Sequence, residues 1–363
     1  MNELQQIEAE IEKLKEEIIV LDIKQKTSKL LQNSLYGVTN NHAFWFADTR
    51  LAESITAAGR HIIISIGNAI DDHFEKIGLG KVIIAGDTDS VYMCLDALVK
   101  KHFPVQNDKL EIVRFLDQYY KDHIKPVISD VLVEVAKQMN FLDYHQKYEF
   151  IKLNREIIAD VTLFKAKKKY AARVLDKEGT ILAEPWLKVT GIELVTRSVP
   201  KKIKNELKDI IEMIMDEKID EIKQRINEVE LMIYKSQPCE VFEAKPLKKL
   251  HKYIPEDKFK FVKGTPSSYK AAWAYNQLID LLDLTSEYQR VDSGDVIHLV
   301  NLKEPNKYGI DVIGIPLNKK LPDEFDLNDR IDFNHTFEVQ FFNKITSLIG
   351  VTHLQLYETP AYF

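Results

Sequence analysis

Cysteine is nearly missing. The 363 residues hold two, Cys94 and Cys239, too few for a disulfide framework or a cysteine-rich zinc site, as in a chain of a reducing compartment. Long apolar runs are missing too. Stretches such as Ile62-Ile63-Ile64 fall far short of the ~20 residues a spanning helix needs, and Met1-Asn2-Glu3-Leu4-Gln5 is neither basic nor apolar enough to open a secretory signal. A soluble intracellular chain with no membrane contact is the expectation. Nor is there an excess of positive charge: 50 Lys+Arg against 56 Asp+Glu leave −6, so no overall basic field recruits polyanions. Nucleic acid is not thereby excluded, because only the charge along a binding face matters. Internal repeats, low-complexity linkers and any Ser/His or Cys/His nucleophile cluster are also wanting.

What is present begins with a seam. Leu4, Ile7, Ile11, Leu14, Ile18 and Leu21 recur at alternating spacings of three and four, the pattern of helix-on-helix packing. Burying six such side chains would contribute about 9–18 kcal/mol before entropy, at about 1.5–3 each. In isolation the seam would be left in water, so it calls for a partner. Residues 27–37 extend the helical pattern and are expected to stop at Gly37, a residue suited to a carboxy-terminal cap. Residues 51–74 read as helix. Val82 to Ala85 and Val91 to Leu95 are two β-type runs flanking Gly86-Asp87-Thr88-Asp89-Ser90, which predicts a hairpin. Helices are predicted at 108–121 and 123–140, then an extended region at 148–195 with turns at 176–179 and near Pro185. A charged helical stretch follows at 200–235. Beyond it the pattern gives a helix at 267–283, short strands near 295–315 and a helix at 336–348. The class is α+β.

Asp87 and Asp89 stand two apart, so on extended backbone their carboxylates could share one side. Hard divalent cations such as Mg²⁺ prefer carboxylate oxygens, and flanking apolar strands would keep competing water away. Taken alone, Asp-x-Asp is more often a polar turn, and nucleotide-sugar transferases use the same pair. Lys29, Asn33 and Tyr36 fall on one helical face: a point charge for phosphates, an amide donor and a flat surface for a base. By itself that is usually a solvated face. Lys165, Lys167, Lys168, Lys169 and Arg173 form a local basic run with no acid among them, and residues 245–263 mix lysines with Tyr253, Phe259 and Phe261. The second stretch reads equally as a solvated lysine face over an aromatic core.

These pieces together resemble one family. Lys29-Leu30-Leu31-Gln32-Asn33-Ser34-Leu35-Tyr36-Gly37 resembles the fingers-helix motif of family B DNA polymerases, and Ala85-Gly86-Asp87-Thr88-Asp89-Ser90-Val91-Tyr92 their palm metal motif. Asn154-Arg155-Glu156, Lys167-Lys168-Lys169-Tyr170, Ala183-Glu184-Pro185 with Lys188, Gly191-Ile192-Glu193 and Ala274-Tyr275-Asn276 follow in the family's order. The resemblance implies a palm with an antiparallel sheet, one fingers helix and a largely helical thumb, divided at 1–41, 42–185 and 186–363. It implies template-directed transfer of dNTP to a primer 3′-hydroxyl with two Mg²⁺ ions. Asp89 and Asp87 match the palm acids; Lys29, Asn33, Tyr36 and Gly37 match the nucleotide-facing surface. Lys167, Lys168, Lys169, Tyr170, Lys188 and Arg173 match the grip on the primer–template. Glu156 falls where the family has a further palm carboxylate, with a buried Glu paired to Arg155 as the alternative.

One part of the family pattern is not found. The second catalytic aspartate belongs to a motif ending in Tyr-Pro, which does not occur in these residues. The implied partner is an amino-terminal polymerase half that carries this aspartate and a 3′→5′ exonuclease, held through the Leu4-to-Leu21 seam. The expectation is a split enzyme, inactive alone. The aromatic end, Leu356-Tyr357-Glu358-Thr359-Pro360-Ala361-Tyr362-Phe363, is where the resemblance suggests sliding-clamp binding, with packing on its own domain as the alternative. The likeness to phage members of the family implies the cytoplasm of an infected bacterium. A non-catalytic DNA-binding remnant is the rival reading.

Overall fold

Helix α1 (Glu3–Thr39) is a single rod that opens the chain. The computed structural model describes residues 3–105, 108–140, 151–192, 199–317 and 319–349. Gly37, expected to end α1, lies inside it. The helix stops two residues later, where the Thr39 hydroxyl donates to the Tyr36 carbonyl at 2.6 Å. A Cβ on Gly37 would meet nothing within 4 Å, so neither a left-handed cap nor close packing accounts for glycine there. The seam is uncovered: its six residues are exposed, from 46% at Ile11 to 64% at Leu4 and Ile18.

The chain divides into two compact units, Met1–Arg155 and Glu156–Phe363. In the first, α2 (Thr49–Lys76) buries Ala52, Ile66, Ile70 and Phe74 on one face. The hairpin β1 (Ile83–Asp87) and β2 (Ser90–Met93) lies against it through Ile83, Val91 and Met93. Helix α3 (Asp96–His102), absent from the sequence expectation, adds Leu98 to that core. The two helices expected at 108–121 and 123–140 form one continuous run, α4 (Lys109–Tyr119) and α5 (Lys125–Gln138), joined through a π-type turn at Tyr120–Ile124. Pro126 enters α5 in its first turn. A proline ring crowds the carbonyl four residues back, and the wider turn relieves that crowding without ending the helix. Tyr120, Ile124, Ile128 and Leu132 from this run close the core over α2.

The second unit begins with an antiparallel sheet, β3 (Ile157–Ala166), β4 (Lys169–Lys177) and β5 (Thr180–Thr190), in that order. Pro185 lies within β5 and not in a turn. It sits on the edge strand, where the register slips between Val174 and Asp176 of β4, and an edge bulge is where a residue without an N–H is tolerated. The division expected after residue 185 falls inside β5. Helices α6 (Lys201–Met215) and α7 (Ile219–Lys235) follow, each burying a stripe of aliphatic side chains in which isoleucine predominates. After the short α8 (Pro238–Val241), β6 (Ala244–Pro246), β7 (Val296–Asn301) and β8 (Val312–Pro316) make a second antiparallel sheet covered by α9 (Ser267–Leu281). Gly314 of β8 permits that cover, since a Cβ would come 3.1 Å from the Ala271 carbonyl oxygen. Helices α10 (Phe333–Phe337) and α11 (Asn343–Ile349) close the described chain. Among the described residues no helix is long and apolar enough to cross a membrane.

Two polar groups in these cores give measurable expectations. Asn276 is buried on α9 and clamps residue 291 twice, donating to the Val291 carbonyl at 2.8 Å and accepting its N–H at 2.9 Å. Asn276→Ala leaves both backbone groups unpaired, so urea unfolding should show a loss of about 1–3 kcal/mol. His73 of α2 stacks on His123 at 6.2 Å and bonds Tyr119 Oη at 3.2 Å. Burial, then the charges of His123 and Lys76, hold its pKa below the ordinary histidine value. The unfolded chain therefore takes up the proton first. This stability is present above about pH 6.5 and lost as pH falls below it. The thermal midpoint should drop between about pH 7 and pH 5.5, and His73→Phe should flatten that drop.

Candidate functional site

Asp71 anchors the acidic hairpin to α2. Its Oδ1 accepts the N–H groups of Val82 at 2.8 Å and Ile83 at 2.9 Å, fixing where β1 leaves the helix. After a register shift between Ile83 and Ala85, β1 and β2 pair with Gly86 opposite Val91 and Asp87 opposite Ser90, leaving Thr88 and Asp89 as a two-residue turn. Thr88 has φ 52°, a left-handed conformation that a β-branched residue rarely adopts. The Asp89 N–H donates to the Asp87 carbonyl at 2.6 Å, the Ser90 hydroxyl reaches the same carbonyl at 3.1 Å, and Thr88 Oγ1 donates to Asp87 Oδ1 at 3.0 Å. Strain of this kind at a charged turn is often retained for function.

The two acids are thus held by a turn and not by alternation along a strand. Asp87 is half-buried and Asp89 exposed. The expectation that flanking strands would keep water from both acids is not met at Asp89, which lies beyond the paired strands in the exposed turn. Two carboxylates with this exposure suit a hard cation that completes its shell with water or phosphate oxygens. Among the described residues no cluster of three or more candidate metal ligands occurs.

Lys29, Asn33 and Tyr36 lie along the last turns of α1 and are all exposed, so that face is open to a ligand. In the second unit, Lys167 and Lys168 form the tight turn between β3 and β4, and Lys168 takes φ 63°. Gly191 packs directly against that turn. Its own φ is 62°, and a Cβ there would lie 1.9 Å from the Lys168 carbonyl oxygen. Tyr170, one strand position further, is buried.

The charges do not all fall as the linear sequence suggests. The basic run has no acid within it, but strand pairing supplies one. Arg173 Nε donates to Asp160 Oδ1 at 2.9 Å and its Nη1 to Asp216 Oδ1 at 2.6 Å. These two carboxylates, Asp160 first, hold the guanidinium pKa above its ordinary value. Arg173 therefore ties β3 and β4 to the end of α6, where a phosphate-facing role was expected. The pairing of Glu156 with Arg155 is also not found. Arg155 donates to Asp117 at 2.7 Å, while Glu156 is exposed and accepts from Lys188 Nζ at 2.7 Å. Burial pulls the Lys188 pKa down. The hydrogen bond it donates to Glu156 and the nearby Tyr170 phenol outweigh it and leave the ammonium above the usual lysine value.

Residues 245–263 split into two parts. Tyr253 packs on Tyr269 at 4.2 Å and Phe259 faces Tyr308 at 6.4 Å. Lys248, Lys249, Lys252, Lys258, Lys260 and Lys263 are exposed outside them, which is the arrangement of a solvated face over an aromatic core. Glu193 and the terminal residues 356–363 lie outside the described residues. Asp71, Asp160 and Asp216 carried no signal in the sequence, because each acts through a partner distant along the chain.

Comparison with known proteins gives a consistent result. Residues 2–111 match the family model described as DNA polymerase family B, and residues 73–264 match that of the Divergent Family B DNA polymerase. The DNA-directed DNA polymerase of Enterobacteria phage T4 is 28% identical over 355 residues, covering 93% of this chain and 38% of that enzyme. That of Escherichia phage RB69 is 32% identical over 205 residues, 53% of this chain and 22% of the enzyme. The DNA polymerase of Archaeoglobus fulgidus is 35% identical over 106 residues, covering 28% of this chain and 13% of that protein. The chain spans well under half the length of each of these relatives.

Gly191 offers a direct check on the Lys167–Lys168 turn. Gly309 has nearly the same φ, 63°, with nothing within 4 Å of a would-be Cβ. Gly309→Ala should cost only the left-handed penalty, about 1–2 kcal/mol. Gly191→Ala should cost clearly more in the same denaturant titration, because the Lys168 backbone must move as well.

Proposed function

The chain belongs to the family B DNA polymerases, and on that premise we propose that it supplies the carboxy-terminal part of a DNA-directed DNA polymerase. Its residues 1–41 would act as a fingers helix, 42–185 as most of the palm and 186–363 as the thumb. The observation that carries this reading is the strained Asp87-Thr88-Asp89 turn, anchored by Asp71, within the stretch that both family models match.

Asp87 and Asp89 would hold a divalent cation, Mg²⁺ by the chemistry of the donors. When bound, such an ion neutralises charge on the triphosphate and on the leaving pyrophosphate. The chain's own residues do the remaining work by position. Lys29 meets the incoming phosphates as a point charge, Asn33 offers an amide donor beside it, and Tyr36 provides a flat surface under the base pair. Gly37, with open space where a side chain would be, leaves the helix backbone accessible next to that surface. Lys167, Lys168 and Lys169, at a backbone-locked turn, and Tyr170 and Lys188 beside them grip the primer–template through its phosphates without reading sequence. The tied Arg173 keeps this sheet in register and does not itself meet phosphate.

Two carboxylates at one turn do not make a complete pair of metal sites. We assign the second catalytic aspartate to the amino-terminal half of the polymerase, which would also bring the 3′→5′ exonuclease. The exposed seam of α1 would hold that half. A sliding clamp is the proposed partner of residues 356–363, and an infected bacterial cytoplasm the proposed location.

Primer extension tests the reading. The 363-residue chain alone should extend a primer at background rate. Addition of an amino-terminal half bearing the Tyr-Pro motif should restore extension, and Asp89→Asn should return the mixture to background. Ile11→Asp with Leu14→Asp should raise the concentration of partner needed. Efficient extension by the chain alone would contradict the proposal, and duplex binding without extension by the mixture would favour a non-catalytic remnant.

A further inference from the structure

Glu156 and Lys188 are 32 positions apart and meet at 2.7 Å. The pair is lopsided. The lysine side chain is 18% exposed, and the glutamate 61%. Two other ties between distant residues are drier on both sides: Arg155 and Asp117 are 10% and 19% exposed, Arg173 and Asp160 16% and 14%. Glu156 instead caps a sheltered ammonium from the solvent side, and an ion pair with one partner in water is worth little.

The ammonium has a second neighbour. The phenol of Tyr170, a residue buried next to the Lys167–Lys168 turn, lies near the ammonium and helps keep its pKa above the usual lysine value. A sheltered cation therefore has a phenol nearby and one exposed anion in direct contact. An oxygen of a phosphodiester has the same charge and the same acceptor chemistry as that carboxylate oxygen. Exchanging one for the other costs little on the protein side, whereas neutralising a backbone phosphate releases its condensed counterion.

We infer that Glu156 is an internal stand-in for a duplex phosphate, satisfying Lys188 while no nucleic acid is bound and giving way when a primer or template phosphate arrives. Glu156 is thus a positioning residue for Lys188 that competes with the duplex, and not a ligand of the metal. The inference rests on the reading of Lys167–Tyr170 and Lys188 as a duplex grip.

Equilibrium binding of the 363-residue chain to a plain primer–template duplex, followed by fluorescence anisotropy over a series of NaCl concentrations, tests it. Glu156→Gln should bind about two- to fivefold more tightly, the scale of an exposed ion pair. Lys188→Gln should bind more weakly and lower the slope of log affinity against log salt by about 0.9, one phosphate contact. The double variant should bind like Lys188→Gln alone, because the glutamate acts only through the lysine. Unchanged or weaker binding by Glu156→Gln would overturn the inference, as would an equal gain in the Lys188→Gln background, which would mean general charge repulsion. If the wild-type chain binds no duplex even at low salt, the grip itself is wrong and the inference falls with it.

Discussion

A single carboxylate oxygen sets the position of the acidic turn. Asp71 Oδ1 takes two consecutive backbone N–H groups at the start of β1, and a charged acceptor makes such bonds stronger than neutral ones. Without it the hairpin would be a two-stranded ribbon resting on half a hydrophobic face, and such ribbons are marginal in water. With it, the direction in which β1 leaves α2 is fixed, and Asp87 follows at the end of the same five-residue strand. The left-handed Thr88 is tolerable because both ends of the turn are already held. Local strain persists only where surrounding contacts over-determine it.

The same logic appears in the second unit, with register in place of a cap. Side chains far apart in sequence become neighbours once β3, β4 and β5 pair: Arg173 with Asp160, Lys188 with Tyr170 and Glu156. A run that is purely basic along the chain becomes a mixed surface, with some cations neutralised and others left outward at a turn. Gly191 shows how tightly that turn is built. Its missing side chain is what lets residues 191 and 168 touch backbone to backbone.

Features with a short period were legible in the sequence. The α1 seam, the hairpin around Asp87 and Asp89, and the helical stretch after Pro200, though not its break between α6 and α7, follow from spacings of two, three or four. What stayed hidden was set by distant partners. No local pattern joins Asp71 to Val82 or Asp216 to Arg173. The two glycines make the contrast plain. Gly37 looked like a cap because of where it falls in a motif, yet it lies in ordinary helix, while the need for Gly191 appears only when another strand arrives. Pro126 is a third case. It sits in the first turn of α5, where a π-type turn absorbs it and the break expected near residue 122 does not form.

Helix α1 joins two surfaces that the sequence presents as separate. At about 1.5 Å per residue the seam from Leu4 to Leu21 runs about 26 Å, and the Lys29-to-Tyr36 face begins about 12 Å further on. Lys29 lies eight residues after Leu21, so at about 100° per residue it points about 80° round the axis from the seam. A helix without a break between them transmits orientation: whatever buries the seam also decides which way Lys29, Asn33 and Tyr36 face. Six exposed apolar residues give that burial far more free energy than the few polar contacts available to the second face. On the proposed reading, the partner that covers the seam therefore does more than hold two halves together. It aims the nucleotide-facing side chains, while the acidic turn, fixed through Asp71 to a different helix, needs no such aiming.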